Sequence, residues 1–123
     1  FVNNKKTGTV SLEEISQLPL IIPSTEGLGS YNIIHEAFSR QKLQFTSIAE
    51  CSDMHVLMEM VKGGMGATIV PKSVLDVYGD EHLYSAPIKD ANLYSSLGMI
   101  WLEHHYVSTA AKNFIELVKK ELA

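Results

Sequence analysis

Short apolar runs alternating with amphipathic stretches predict an α/β fold, a Rossmann-like layered sheet of about five strands with helices between them. Three observations carry this. Apolar or alternating runs of four to seven residues occur at 18–22, 45–51, 67–70, 83–88 and 96–102, each of strand length. Helix-spaced apolar positions fill the stretches between several of them, as in Ile33, Ile34, Ala37 and Phe38, or Met54, Leu57, Met58 and Val61. Pro23, Gly63-Gly64, Pro71 and Gly79 punctuate the joints. Alternation of this kind implies parallel strands joined by right-handed crossovers.

Taken in order, residues 1–9 are polar and read as a loop or lead-in. Ser11 and Glu14 have the Ser-x-x-Glu spacing of a capping box, which marks a short helical turn ending near Gln17. A strand follows from Leu20, with Pro19 at its start and Pro23 at its end. Residues 24–29 form a loop, and Ser30 is placed to cap a helix running to about Lys42. Residues 45–51 alternate in two sets, Phe45/Ser47/Ala49 and Thr46/Ile48/Glu50, as a second strand would. Ser52 offers a cap for the next helix, which Gly63-Gly64 stops. Residues 67–70 give a short strand closed by Pro71, and 72–78 a brief helix ending at Gly79. Residues 83–88 and 96–102 complete the sheet, the latter apolar enough, with Trp101, to be covered on both faces. Ser108 or Thr109 caps a last helix with its stripe at Ala111, Phe114, Ile115, Val118 and Leu122. Lys119 and Lys120 suit the negative end of that helix.

Composition narrows the function. The 123 residues, 46% of them hydrophobic, suit one domain or a piece of a slightly larger one. Ten Lys plus Arg against fourteen Asp plus Glu give a net charge of -4, so these residues present no basic patch for DNA or RNA. Cys51 stands without a second cysteine, and five His with no Cys cluster do not make a structural zinc site. The apolar runs fall short of the ~20 residues of a membrane span. No charged-then-apolar leader opens the residues as given, so the expected setting is cytoplasmic.

In open parallel sheets, strand carboxyl ends and the amino ends of following helices face one crevice that favours an anion. Pro23-Ser24-Thr25 with Gly29-Ser30, then Cys51-Ser52-Asp53, then Ile69-Val70-Pro71 meet that description. Their hydroxyls and backbone N–H groups suit a carboxylate, although Ser30 and Ser52 are equally placed simply to cap their own helices. Other features carry less. Gly64-Met65-Gly66 lies after a helix, where a C-cap explains it better than a phosphate cradle. His104 and His105 beside Glu103 point to opposite sides, so one imidazole at most reaches a given ion. Cys51 reads as a buried, inert thiol, and His35 and His55 as residues of solvated helix faces. No Ser-His-Asp arrangement, carboxylate pair or G-x-S-x-G elbow is present, so neither catalysis nor a cofactor is expected.

Several stretches then resemble one family in order and spacing. Ser11-Leu12-Glu13-Glu14-Ile15 leads into Leu18-Pro19-Leu20-Ile21-Ile22-Pro23-Ser24; Glu50-Cys51-Ser52-Asp53 is followed by 57–66 and by Ile69-Val70-Pro71; Ser108-Thr109-Ala110-Ala111-Lys112-Asn113-Phe114-Ile115 opens the last helix. From Val10 to Leu122 the chain resembles the second half of the effector-sensing domain of LysR-type transcriptional regulators. The resemblance implies a periplasmic-binding-protein type II-like fold with two α/β subdomains around a small-molecule cleft, of which this chain holds largely the second. It divides the chain into a lead-in and crossover at 1–17, effector-binding subdomain II at 18–103, and a return hinge with C-terminal helix at 104–123. Crossing points fall near 16–18 and 104–108.

The resemblance further implies effector contacts at Pro23, Ser24, Thr25, Ser30, Ser52, Ile69, Val70 and Pro71, with no metal. Its peroxide-sensing members place a reactive Cys in the loop matching 25–28, where this sequence has none. The expected function is ligand sensing by a bacterial regulator: a small metabolite, for which a carboxylate is the leading class, changes the grip of a homo-oligomer on DNA. DNA contact would come through a winged helix-turn-helix outside these residues. A transporter's solute-binding protein shares the architecture, as does a prephenate-dehydratase-like enzyme, and both stay open as alternatives at this point.

Overall fold

The computed structural model describes residues 8–24, 29–96 and 98–122. Residues 1–7 and 25–28 lie outside them, so most of the loop expected at 1–9, most of that expected at 24–29 and the site assignment of Thr25 fall there. Ser11 opens α1 (Leu12–Ser16) with a complete capping box: its Oγ accepts from the Glu14 N–H at 3.1 Å, and Glu14 Oε2 accepts from the Ser11 N–H at 2.7 Å. The bond from the Ser11 N–H, a second from the Ser11 hydroxyl to the same oxygen at 3.2 Å, and the nearby Lys89 hold the Glu14 carboxyl below its ordinary range. The hydrogen bonds from Ser11 are the larger cause.

The chain then enters β1 (Pro19–Pro23), whose last four residues are all buried. After α2 (Ser30–Arg40) it forms β2 (Thr46–Cys51), which pairs parallel to β1. α3 (Met54–Lys62), α4 (Lys72–Tyr78) and α5 (Thr109–Leu122) follow. Alternation along β1 builds a layer on each side. Leu20 and Ile22 pack with Leu12, Ile15, Ile34 and Phe38, hence with α1 and α2. Ile21 faces the other way, onto Leu57 and Met58 of α3, with Val74, Leu75 and Tyr78 of α4 at the margin. Each such buried side chain contributes about 1.5–3 kcal/mol. Among the described residues no helix is long and apolar enough to cross a membrane.

The expected alternation along β2 is interrupted. Leu20 pairs with Ser47 but Ile21 with Ala49, so Ile48 is an extra residue in the register. As a result Phe45 packs with the α2 cluster while Ala49 and Cys51 pack with α3, although strict alternation puts all three on one face.

The five-strand expectation resolves, among the described residues, into two strands and isolated bridges. Ala67 joins β1 opposite Leu20, with Ile21 N donating to Ala67 O at 2.8 Å and Ala67 N to Pro19 O at 2.9 Å. Beyond Ala67, residues 68–70 make no further backbone bond to β1, and Pro23 has no N–H to offer on that flank. Ile88 bridges to Val10 instead of joining the sheet. Residues 98–102 form no strand, and the expected cover of that segment is not found: Ile100 is 95% exposed and Trp101 52%.

Geometry requires glycine where α3 hands over to the approach to β1. Gly64 turns the chain out of α3 at φ +80°, and a Cβ on Gly66 would stand 2.5 Å from the Pro19 carbonyl oxygen. The Gly64-Met65-Gly66 stretch thus serves the end of α3 and the approach to β1. Ser108 caps α5, its Oγ accepting from Ala111 N at 3.1 Å. Yet α5 has no buried residue, and Phe114 is 60% exposed.

Candidate functional site

Parallel pairing brings the three expected segments to the same end of the sheet. Pro23 is level with Cys51, and Ser24 N donates to Cys51 O at 2.9 Å. Val70 lies three residues past Ala67, as Pro23 lies three past Leu20, so the third segment ends on the opposite flank of β1. Ser24 is half-buried and Ser52 exposed.

The helix starts differ from the sequence reading. Asp53, not Ser52, caps α3, its Oδ1 accepting from Val56 N at 2.9 Å. A carboxylate at this position also complements the positive end of the helix, which a hydroxyl does less well. Ser30 is the first residue of α2 rather than its cap; that position falls to Gly29, which brings no side chain to bind the first-turn N–H groups. Ser52 and Ser30 are therefore relieved of capping duty.

A cavity of about 560 Å³ opens where α2 begins, where the third segment ends and where α4 starts. Ser30, Ile69, Val70 and Pro71 line it together. Pro23, Ser24 and Ser52 are not among its walls; they lie together around Cys51, where β1 and β2 end. The walls also include Lys72 and residues 85–88 and 91–95, which the sequence reading had not placed at the site. The available signal was the polar break Lys89-Asp90 followed by Asn92 between two apolar runs, a loop mark rather than a continuing strand.

The lining is mostly aliphatic, with hydroxyls or amides at Ser30, Ser85, Asn92, Tyr94 and Ser95. Lys72 is the one charged side chain among the described lining residues, and its Nζ also reaches Asp76 at 2.9 Å. Such walls can hold a small guest by dispersion and hydrogen bonds, with one cation to favour an anion.

A second, shallower depression of about 650 Å³ flanks α2 and β2 around Phe38, Lys42 and Glu50. It runs from residues 42–45 along β2 to Glu50 and is lined by none of the expected site residues, four of which line the smaller cavity, so the smaller cavity is the candidate. His35 lines this depression, which corrects its placement on a solvated face: its ring sits 4.1 Å from that of Tyr31 and 5.0 Å from that of Phe45, and its Nε2 is buried. The apolar neighbours of α2 and Phe45 draw it inward. His55 is exposed, as expected. Cys51 is half-buried, its Sγ donating to Asp53 O at 3.3 Å. His104 takes a left-handed turn at φ +63° with its side chain 87% exposed.

The LysR substrate binding domain family model matches residues 4–123. The chain is 27% identical over 110 residues to the HTH-type transcriptional regulator BsdA of Bacillus subtilis (strain 168), which covers 89% of this chain and 38% of that protein. It is 28% identical over 106 residues to a protein named uncharacterized HTH-type transcriptional regulator YnfL of Escherichia coli (strain K12), covering 85% of this chain and 35% of that one. The chain thus spans little more than a third of the length of these relatives. With the family model reaching from residue 4 to the last residue, and an α/β core beneath it, the chain belongs to the LysR substrate-binding domain family.

Proposed function

We infer that this chain is the ligand-sensing part of a transcriptional regulator, with the 560 Å³ cavity as its effector pocket. The observation that carries the reading is the family match over 4–123. The proposed contact set is Ser30, Ile69, Val70 and Pro71 in the cavity, with Pro23, Ser24 and Ser52 where β1 and β2 end; Thr25 is proposed from the resemblance alone. The proposed effector is a small anion with an apolar body, a monocarboxylate being the simplest case: aliphatic walls take the body, and Lys72 with the first-turn N–H groups of α2, which Gly29 does not cap, takes the charge. No bond is made or broken in this reading.

At the level of the whole protein, the effector would shift a cytoplasmic homo-oligomer between states that hold DNA differently, DNA contact being made by a helix-turn-helix outside this chain. The division into lead-in 1–17, sensing unit 18–103 and return segment 104–123 is proposed on the same footing. Calorimetric titration tests the effector class. Monocarboxylates are expected to bind while their neutral amides of matched shape bind at least fivefold more weakly, and Lys72→Met is expected to weaken the acid by about fivefold, the worth of one partly solvated charged contact. Equal binding of acid and amide refutes the anion; binding of neither to the intact protein refutes the pocket.

A further inference from the structure

Residues 85–95 wall the cavity without joining the sheet, and their attachment is unusual in where it leads. Among the described residues, the backbone hydrogen bonds from this segment to the rest of the chain are two, both to Val10: Val10 N donates to Pro87 O and Lys89 N donates to Val10 O, each at 2.9 Å. Asp90 supplies two more ties. Its Oδ1 accepts from the Leu12 N–H at 3.0 Å in a part-buried setting, and its carbonyl accepts from Gln41 Nε2 at 2.7 Å. Leu12 opens α1, so the carboxylate meets the positive end of that helix through a charge-assisted bond. On either side of Asp90, Ile88 and Ala91 both line the cavity and pack on the cluster that contains Leu12 and Ile15.

We propose that Asp90 is a positioning residue that locks the cavity wall 85–95 to α1, so that what fills the cavity is felt at α1. The regulatory meaning of the lock rests on the reading of the cavity as the effector pocket; the lock itself does not. A wall with so few ladder bonds belongs to the weakly held part of a fold, and its place is set by its anchors. A ligand that favours one wall position then biases α1 by the same differential affinity.

Hydrogen exchange at the Leu12 amide in the intact protein, with the Phe38 amide of α2 as the internal control, tests this without any ligand. Asp90→Ala is expected to speed Leu12 exchange about tenfold, the worth of one charge-assisted bond, and Asp90→Asn, which keeps an acceptor, to restore it to within about threefold. Leu93→Ala, a change to the cavity wall, is expected to speed Leu12 exchange at least twofold with Phe38 unaffected, and to lose that effect in the Asp90→Ala background. If Leu93→Ala leaves Leu12 unchanged, or acts equally with and without Asp90, the lock is wrong. Should Asp90→Ala fail to fold, Leu93→Ala in the otherwise unaltered chain still decides. A carboxylate that binds while Leu93→Ala leaves Leu12 unchanged overturns the lock and leaves the effector reading standing; coupling with no carboxylate bound upholds the lock and counts against the effector class.

Discussion

α2 and α5 are both amphipathic helices with apolar residues at helical spacing, yet their fates differ. α2 buries Ile34 and Phe38 against β1, whereas α5 buries nothing and leaves Phe114 60% and Leu122 82% exposed. Every buried apolar residue of the described structure lies between Leu12 and Met58. An apolar stripe states that a helix must be covered; it does not say by what. The same contrast holds for strands, since 46–51 found a partner and 98–102 did not.

The sharpest test of this contrast is a pair of truncations. Phe38→Ala should cost about 3–5 kcal/mol in urea unfolding, and Phe114→Ala in the same chain less than about 0.5 kcal/mol. Comparable losses would mean that the α5 face is covered in solution. Next in size, Gly66→Ala should cost about 1–3 kcal/mol because the new methyl meets the rigid Pro19 carbonyl, while Gly64→Ala, in open space but at positive φ, should cost about 1 kcal/mol. A reversed order in thermal melts would show that β1 can give way at Pro19. At about 1 kcal/mol, Asp53→Ala should shorten the life of α3, and Ser52→Ala should fall within about 0.5 kcal/mol of no effect; equal effects would return the cap to Ser52.

The smallest effect belongs to pH. The Glu14 carboxyl is held below its ordinary value of 4.5, so its contribution to stability is complete above that value and is lost as pH falls through the lowered one. The difference in unfolding midpoint between the native chain and Glu14→Gln should therefore be flat above pH 4.5 and shrink below it. A difference that grows on acidification would contradict the capping geometry.

Local chemistry and the parallel sense of β1 and β2 were legible, and which later segments would join them was not. The Ser11–Glu14 box, the stop at Gly63-Gly64 and the bounds of α4 follow from side chains acting within a few residues of themselves. The flanks of β1 depended on residues far away in sequence. That the third segment would meet β1 at Ala67 and bond no further depends on the register, which only the folded sheet supplies. Among the site residues, Ile69 to Pro71 and Ser30 meet in the cavity because strand ends and helix starts are set by topology. Lys72 and the wall 85–95 were missed because 83–88 has a strand's composition, and nothing local says that Ile88 will bridge to Val10. Asp53 was passed over as a cap although it stood one position from the residue favoured.

The extra residue at Ile48 gives β2 a unit of slack. Because Ser47 and Ala49 already occupy consecutive rungs, a lineage could shed Ile48 and leave every other side chain of the strand facing as it does now. Loss of a neighbour such as Ala49 offers no such escape without drawing Ile48 into its rung. A gap opened at this point when cousins of the chain are aligned would thus mark a straightened strand, not a misplaced comparison.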